Sequence, residues 1–312
     1  MLVFTHPACL QHDPGPDHPE SPQRLQVVLD ALHGAFPHRL DWHQAPSAKR
    51  GDLARVHDAA LIDLVLQAQQ VPLRQIDMDT RTSPGSASAA LHAAGAGVAA
   101  VDAVMLGTDP VAFCAVRPPG HHATASTAMG FCLLNNIAVA AAHARDRHGL
   151  ERIAVVDFDV HHGNGTQDIF QHDPRVAYYS THQAGLFPES GLRRDRGAGN
   201  LLNILLPPGS GSFRFRNVWV DEMLPAIDDF RPQLMLISAG FDAHVQDPQA
   251  DLMLETEDFA WITRELHALA RRHAQGRVVS MLEGGYHLQA LADSCVAHVG
   301  ALLESGPGPG GG

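Results

Sequence analysis

Short apolar runs, each breaking off near a glycine, proline or acidic residue, alternate with helix-spaced segments along most of this chain. The runs at 112–116, 153–158, 176–180, 201–206, 234–238 and 278–282 are a few residues long and mostly apolar throughout. Continuous rather than alternating hydrophobicity marks strands covered on both faces. Helix-compatible spacing occupies 25–36, 53–70, 86–105, 133–147, 218–229, 259–272 and 288–302. The segment 86–105 is rich in small residues, which permit close packing, although its glycines weaken intrinsic helicity. The order predicts one α/β domain over residues 1–304, with a mainly parallel sheet between helices. The Gly/Pro-rich end, 305–312, is expected to be a disordered tail.

In an open parallel sheet, ligands gather beyond the carboxyl ends of the strands. Polar side chains stand just there in four distant segments: His121 and His122; Asp157, Asp159 and His161; Asp242; and Tyr286. Asp159 and His161 are two residues apart, so an extended backbone would turn both to one side and Val160 to the other. Gly240 gives the chain latitude to bring Asp242 alongside. Two carboxylates and a neutral imidazole suit zinc, with a position left for water.

Adjacent imidazoles at 121 and 122 can divide proton transfer and charge stabilisation between them. Asp157 is an orienter for His121, and Asn164 can hydrogen-bond His122. A carboxylate raises an imidazole's proton affinity more than an amide does, so the two rings should titrate differently. The glycines of Glu283-Gly284-Gly285-Tyr286 can turn the phenol toward a substrate carbonyl, where its hydroxyl would stabilise an oxyanion. Gly130-Phe131 and Phe187-Pro188 offer two aromatic walls for a narrow aliphatic chain. Gly163-Asn164-Gly165 lacks the context of a dinucleotide loop.

Composition narrows the partners. Lys and Arg number 22 against 34 Asp and Glu, giving a formal charge of -12, which disfavours direct nucleic-acid binding. Four scattered cysteines suggest neither a disulfide scaffold nor a thiolate metal site. No signal peptide is read at the start, and no apolar run approaches the roughly 18 residues of a membrane span. The expected setting is a reducing cytoplasm.

With these residues in view, the chain resembles the histone deacetylase family, particularly its class II enzymes and bacterial amidohydrolase relatives. The resemblance rests on His18-Pro19-Glu20-Ser21-Pro22, Arg117-Pro118-Pro119-Gly120-His121-His122 and Gly130-Phe131-Cys132. It rests equally on Asp157-Phe158-Asp159-Val160-His161-His162-Gly163-Asn164-Gly165, Ser238-Ala239-Gly240-Phe241-Asp242-Ala243-His244 and Glu283-Gly284-Gly285-Tyr286. It implies the arginase/deacetylase α/β fold and one catalytic zinc on Asp159, His161 and Asp242. His122 would be the main general base and acid, with His121 its electrostatic partner linked to Asp157, and Tyr286 would polarise an acetyl carbonyl. Gly130, Phe131, Phe187, Gly284 and Gly285 would border the substrate channel. Asp79 would be an acidic clamp on its rim, and Arg24 would stand near an internal acetate-release cavity.

The resemblance also implies structural potassium at Asp157, Asp159, His161, Ser180 and Thr181, and at a second set of Phe170, Asp173, Val176 and Asn200. Asn164, where class I relatives often have Asp, supports the class II reading; His287 follows Tyr286 where Asn is common. The implied substrate is an acetylated protein, peptide or small amine, cleaved to acetate and free amine. Acetyllysine and acetylpolyamine both remain open, as does a homo-oligomer. A binuclear manganese ureohydrolase would need more bridging carboxylates. An inactive acyl-lysine binding protein would not need the full catalytic set.

Overall fold

Strand Ser280 and Met281 show how the sheet is covered: Ser280 meets His298 on one face, while Met281 meets Gly97 on the other. The computed structural model describes residues 1–70 and 73–304, so the 305–312 tail lies outside the described residues. The first strands are β1 (Leu2–Thr5), β2 (Asp41–Gln44), β3 (Arg74–Gln75), β4 (Arg81–Thr82) and β5 (Val111–Cys114). Then come β6 (Ile153–Asp157), β7 (Val176–Gln183), β8 (Leu201–Leu206), β9 (Leu234–Ala239) and β10 (Val278–Leu282). Eight of them form one sheet in the order β2-β1-β5-β10-β9-β6-β7-β8, every pair parallel. The short β3 and β4 pair separately and antiparallel. All residues of the central strands β5, β10, β9 and β6 are buried, as their largely apolar runs require.

The helices are α1 (Pro22–Ala35), α2 (Arg50–Leu53), α3 (Ala59–Leu66), α4 (Ser86–Met105) and α5 (Asn136–His148). They continue with α6 (Asn164–Phe170), α7 (Ser212–Val218), α8 (Leu224–Phe230), α9 (Thr256–His273) and α10 (Leu288–Leu303). α4 packs on α5 over one face of the sheet; α10 lies between α1 and α9 over the other. By length and composition alone α4 would suit a membrane span. Here it is a core helix, and its Gly95 and Gly97 admit Pro46 and Ala140 where larger side chains would not fit.

Two expected helices differ. The 53–70 segment breaks between Leu53 and Ala59. His57 in that break stands 3.0 Å from the Thr124 carbonyl and accepts the Asn135 amide at 2.9 Å, tying the turn to the loop that carries His121 and His122. The helix read at 218–229 instead spans α7 and α8 with a π-helical turn, Trp219–Met223, between them. Pro225 has no N–H, so it cannot continue the α-ladder there. β1 and the half-exposed edge strand β2 escaped the sequence pattern because four mixed residues carry little periodicity.

His298 of α10 is sealed in the core between Thr263 (2.6 Å) and Ser280 (2.8 Å). Thr263 gives its own proton to the Phe259 carbonyl, so Nδ1–H of His298 donates to Thr263 and Nε2 accepts from Ser280. Burial lowers the His298 pKa to about 3. Below the unfolded-chain value near 6.5, the unfolded state binds a proton that the fold refuses until about pH 3. Stability from this site is therefore full above pH 6.5 and falls on acidification by up to about 1.4 kcal/mol per pH unit. Urea midpoints from pH 7 to pH 4 should fall less steeply in His298→Gln than in the parent; parallel slopes would contradict this.

Candidate active site

β6 and β9 are neighbours, with Asp157 in register against Ser238, so the turns that follow them emerge side by side. Residues 159–161 form bends beyond β6, rather than the extended segment expected, because Asp159 Oδ1 accepts the His161 amide at 2.9 Å. The side chains still converge. His161 Nδ1 lies 3.1 Å from Asp159 Oδ1 and 3.2 Å from Asp242 Oδ2. Backbone amides hold the outer oxygens: Gly284 N–H donates to Asp159 at 2.8 Å and Val160 N–H to Asp242 at 2.9 Å.

Burial would drive both acids neutral. His121 and His161 nevertheless hold Asp159 below the usual carboxylate range. Burial and then the Asp159 charge push Asp242 up to about 7. Burial opposes charge on His161 as well, but Asp159 and Asp242 outweigh it and raise its pKa to about 10. The cluster attracts positive charge. Two buried carboxylates and an imidazole, with ligand atoms within 4.8 Å of one another, fit a divalent cation. Gly240 and Gly284 are required beneath it, since a Cβ at either would overlap a carboxylate oxygen of Asp159 or Asp242.

The His121 and His122 rings lie 4.0 Å apart, tilted 45° to each other, but have different partners. His121 Nδ1 is 3.0 Å from Asp157 Oδ2, which also accepts from Tyr178. Burial disfavours its charge, yet Asp157, Asp159 and Glu283 push its pKa up to about 10. His122 Nδ1 is 2.9 Å from Asn164 Oδ1. Burial, followed by the nearby rings of His121 and His161, drives His122 well below its ordinary value. The two rings thus differ in proton affinity, His121 holding a proton far more readily than His122.

Tyr286 packs edge-on to Phe131 at 5.7 Å and lies over the Arg24 guanidinium at 4.6 Å. Burial raises its pKa well above the ordinary value, so the phenol keeps its proton. It shares a cavity of about 70 Å³ with His122, His161, Phe131 and Phe187. Asp79 and Gln249 also line this cavity. Gly130, at φ 56°, lies between wall and base: a Cβ there would be 2.6 Å from His122 and 2.8 Å from Phe187.

Gly284 and Gly285 are set apart from this wall. Gly284 lies against the carboxylates, and the Gly285 carbonyl accepts from Arg24 Nε at 2.5 Å. Arg24 is fully buried and also pairs with Glu20 and the Glu283 carbonyl, which makes it a support of the Tyr286 turn.

Of the expected potassium residues, Ser180 is registered beside Asp157 and Thr181 Oγ1 is buried without a partner. In the second set, the carbonyls of Phe170, Asp173 and Val176 converge on the Asn200 amide nitrogen at 2.7–3.1 Å.

Three supports escaped the sequence reading. Glu283 accepts the Gly120 and His121 amides; Asp247 accepts those of Tyr286 and His287; Asn135 caps α5 and donates to the Ala123 carbonyl. Two local signals existed: the Asp-Pro turn at 247–248 and an Asn at the N-cap position ahead of the 136–148 helix.

With this geometry in place, comparison with known proteins is direct. The histone deacetylase domain family matches residues 18–302. The chain belongs to that family. A histone deacetylase-like amidohydrolase of Pseudomonas aeruginosa is 42% identical, over 86% of this chain and 71% of that protein. A human polyamine deacetylase, HDAC10, is 38% identical over 91% of this chain, but only 44% of its own length is covered. The crystal structure of the HDA15 HD domain superposes with a TM-score of 0.92 at 33% identity, covering 97% of this chain and 87% of that one. The fold is thus that of a histone deacetylase domain, and the chain is an enzyme of the deacetylase/amidohydrolase class, whose members are metal-dependent.

A methyl group at 284 would collide with Asp242 Oδ2 and crowd Asp159. Gly284→Ala should therefore bind a divalent cation, probed with zinc, more weakly by about tenfold or more while keeping its circular dichroism spectrum. Undiminished metal content after dialysis at limiting zinc would contradict the crowding.

Proposed function

We propose that the protein is a zinc-dependent deacetylase that hydrolyses the acetamide of an acetylated lysine side chain in a protein or peptide. The reading rests on one observation: the His122 imidazole, the Tyr286 phenol and His161 of the convergent Asp/His/Asp set line one narrow aromatic-walled cavity. Zinc held by Asp159, His161 and Asp242 would supply Lewis acidity to the acyl carbonyl and attacking water.

The chain's own groups then have separable tasks. Because Nδ1–H of His122 points at the Asn164 carbonyl oxygen, its Nε2 carries a lone pair. The Asn164 orientation is supported by its amide nitrogen facing the His122 carbonyl and the Met129 sulfur. Neutral His122 accepts a proton from the attacking water and returns it to the departing amine. His121, cationic through Asp157, stabilises negative charge as the tetrahedral intermediate forms. Tyr286 donates its hydroxyl proton to the oxyanion. Phe131 and Phe187 exclude water from the acyl-lysine stem. The products are acetate and the free amine. Structural potassium is proposed beside Asp157, where the unpartnered Thr181 hydroxyl supports it; at the second expected set the carbonyls already accept from the Asn200 amide, and no second ion is proposed there.

A second reading, acetylpolyamine hydrolysis, is favoured by the Asp79 carboxylate in the cavity lining, which would suit a second ammonium group, and by the name of the human relative. Gln249 beside it carries no charge. The zinc-loaded protein, given acetyllysine peptides and acetylated polyamines, should release acetate, with higher kcat/KM on the peptides. Reversal of that order selects the polyamine reading, and no turnover on either class rejects both. Tyr286→Phe should retain zinc yet lose about 100-fold or more in kcat; a variant as fast as its parent would remove the phenol from the reaction.

A further inference from the structure

α4 and α5 bring a second set of metal-ligand side chains together outside the proposed reaction centre. Asp102 projects from the last turn of α4, His143 from the next-to-last turn of α5, and His148 is the final residue of α5. Both imidazole Nε2 atoms lie 2.7 Å from the same oxygen, Asp102 Oδ1, and the three ligand atoms fall within 4.8 Å of one another. His143 is 7% exposed and His148 16%, while Asp102 is 43% exposed. The two nitrogens are therefore preorganised and the carboxylate faces solvent.

We propose that Asp102, His143 and His148 form a second divalent-metal site, for zinc or an ion of similar preference, which staples α4 to the end of α5. Two imidazoles and one carboxylate are a three-ligand zinc set, and the exposed side of Asp102 leaves a fourth position for water. Tetrahedral ligation would separate the donor atoms by about 3.3 Å. Side-chain rotation of a few tenths of an ångström opens the present 2.7 Å contacts that far.

The proton positions identify what must move. In the present arrangement each Nε2 carries a hydrogen donated to Asp102. Metal at Nε2 transfers that hydrogen to Nδ1 of the neutral ring. His148 Nδ1 is free to receive it. His143 Nδ1 is occupied by Arg55 Nη1 at 3.2 Å, an arrangement compatible only with an unprotonated Nδ1. Arg55 also bonds Asp52 at 2.8 Å and lies 3.8 Å from Asp146, so it keeps anionic partners when it swings aside. The guanidinium is thus a brake on binding rather than part of the site.

The test is a zinc sulfate titration of the full chain against a chelating indicator, with bound zinc counted in parent, His148→Ala and Asp102→Asn. Asp102→Asn keeps an acceptor for both imidazoles while losing the ligand charge, so it controls for packing. At free zinc that saturates the parent, each variant should bind one equivalent fewer per chain, and zinc should raise the thermal midpoint of the parent more than theirs. Arg55→Gln, whose amide oxygen can accept from Nδ1–H, should bind this equivalent more tightly than the parent. Equal stoichiometry in the parent and either variant overturns the site. The comparison is a difference between proteins sharing the same proposed reaction centre, so it reads out even if deacylation itself fails.

Discussion

The site depends on how buried negative charge is compensated. Glu20, Asp157, Asp159, Asp242 and Glu283 are all essentially inaccessible to water, and an unpaired carboxylate there would cost several kcal/mol. Each has a specific answer. Glu20 is gripped by Arg117, whose guanidinium also reaches the Cys9 and His12 carbonyls, and by Arg24. Asp157 has His121 and Tyr178. Glu283 receives backbone amides and the Ser238 hydroxyl. Asp159 and Asp242 share backbone amides and the His161 imidazole, with His121 3.9 Å from Asp159, and the common point between the carboxylates still favours a cation.

These compensations also connect distant parts of the fold. Arg24 belongs to α1, Arg117 follows β5 and Glu283 follows β10, yet all three bear on the turns holding Tyr286 and the paired histidines. The sheet brings those turns to one edge, and the buried ion pairs and amide contacts fix their orientation. Preorganisation of this kind lets a phenol or imidazole act without rearranging during the reaction.

Several sheet strands were legible because their runs are short and largely apolar: 201–206 and 278–282 match β8 and β10 at both ends. The Asp157–His121 and Asn164–His122 partnerships were legible from residue type, since acid and amide have recognisable effects on imidazole. What resisted reading was backbone-mediated. Glu283 and Asp247 act on main-chain N–H groups, which every non-proline residue carries, so no residue type marks their partners. The break at 54–58 was hidden for a related reason: its cause is a contact from His57 to residues 67 and 78 positions away. Arg24 was assigned to a cavity from resemblance; its burial under Tyr286 depends on three-dimensional packing alone.

Gly130 has a consequence for how such a protein can change over generations. With φ at 56° and both His122 and Phe187 within 2.8 Å of where a Cβ would stand, this flank of the cavity cannot be remodelled by ordinary substitution without disturbing the groups beside it. The opposing Tyr286 and the ligand floor are similarly tied to their surroundings. Asp79 and Gln249 carry fewer such ties, so divergence toward new amines has its least constrained path at these two side chains. The reacting end would stay nearly invariant while the outer end drifts.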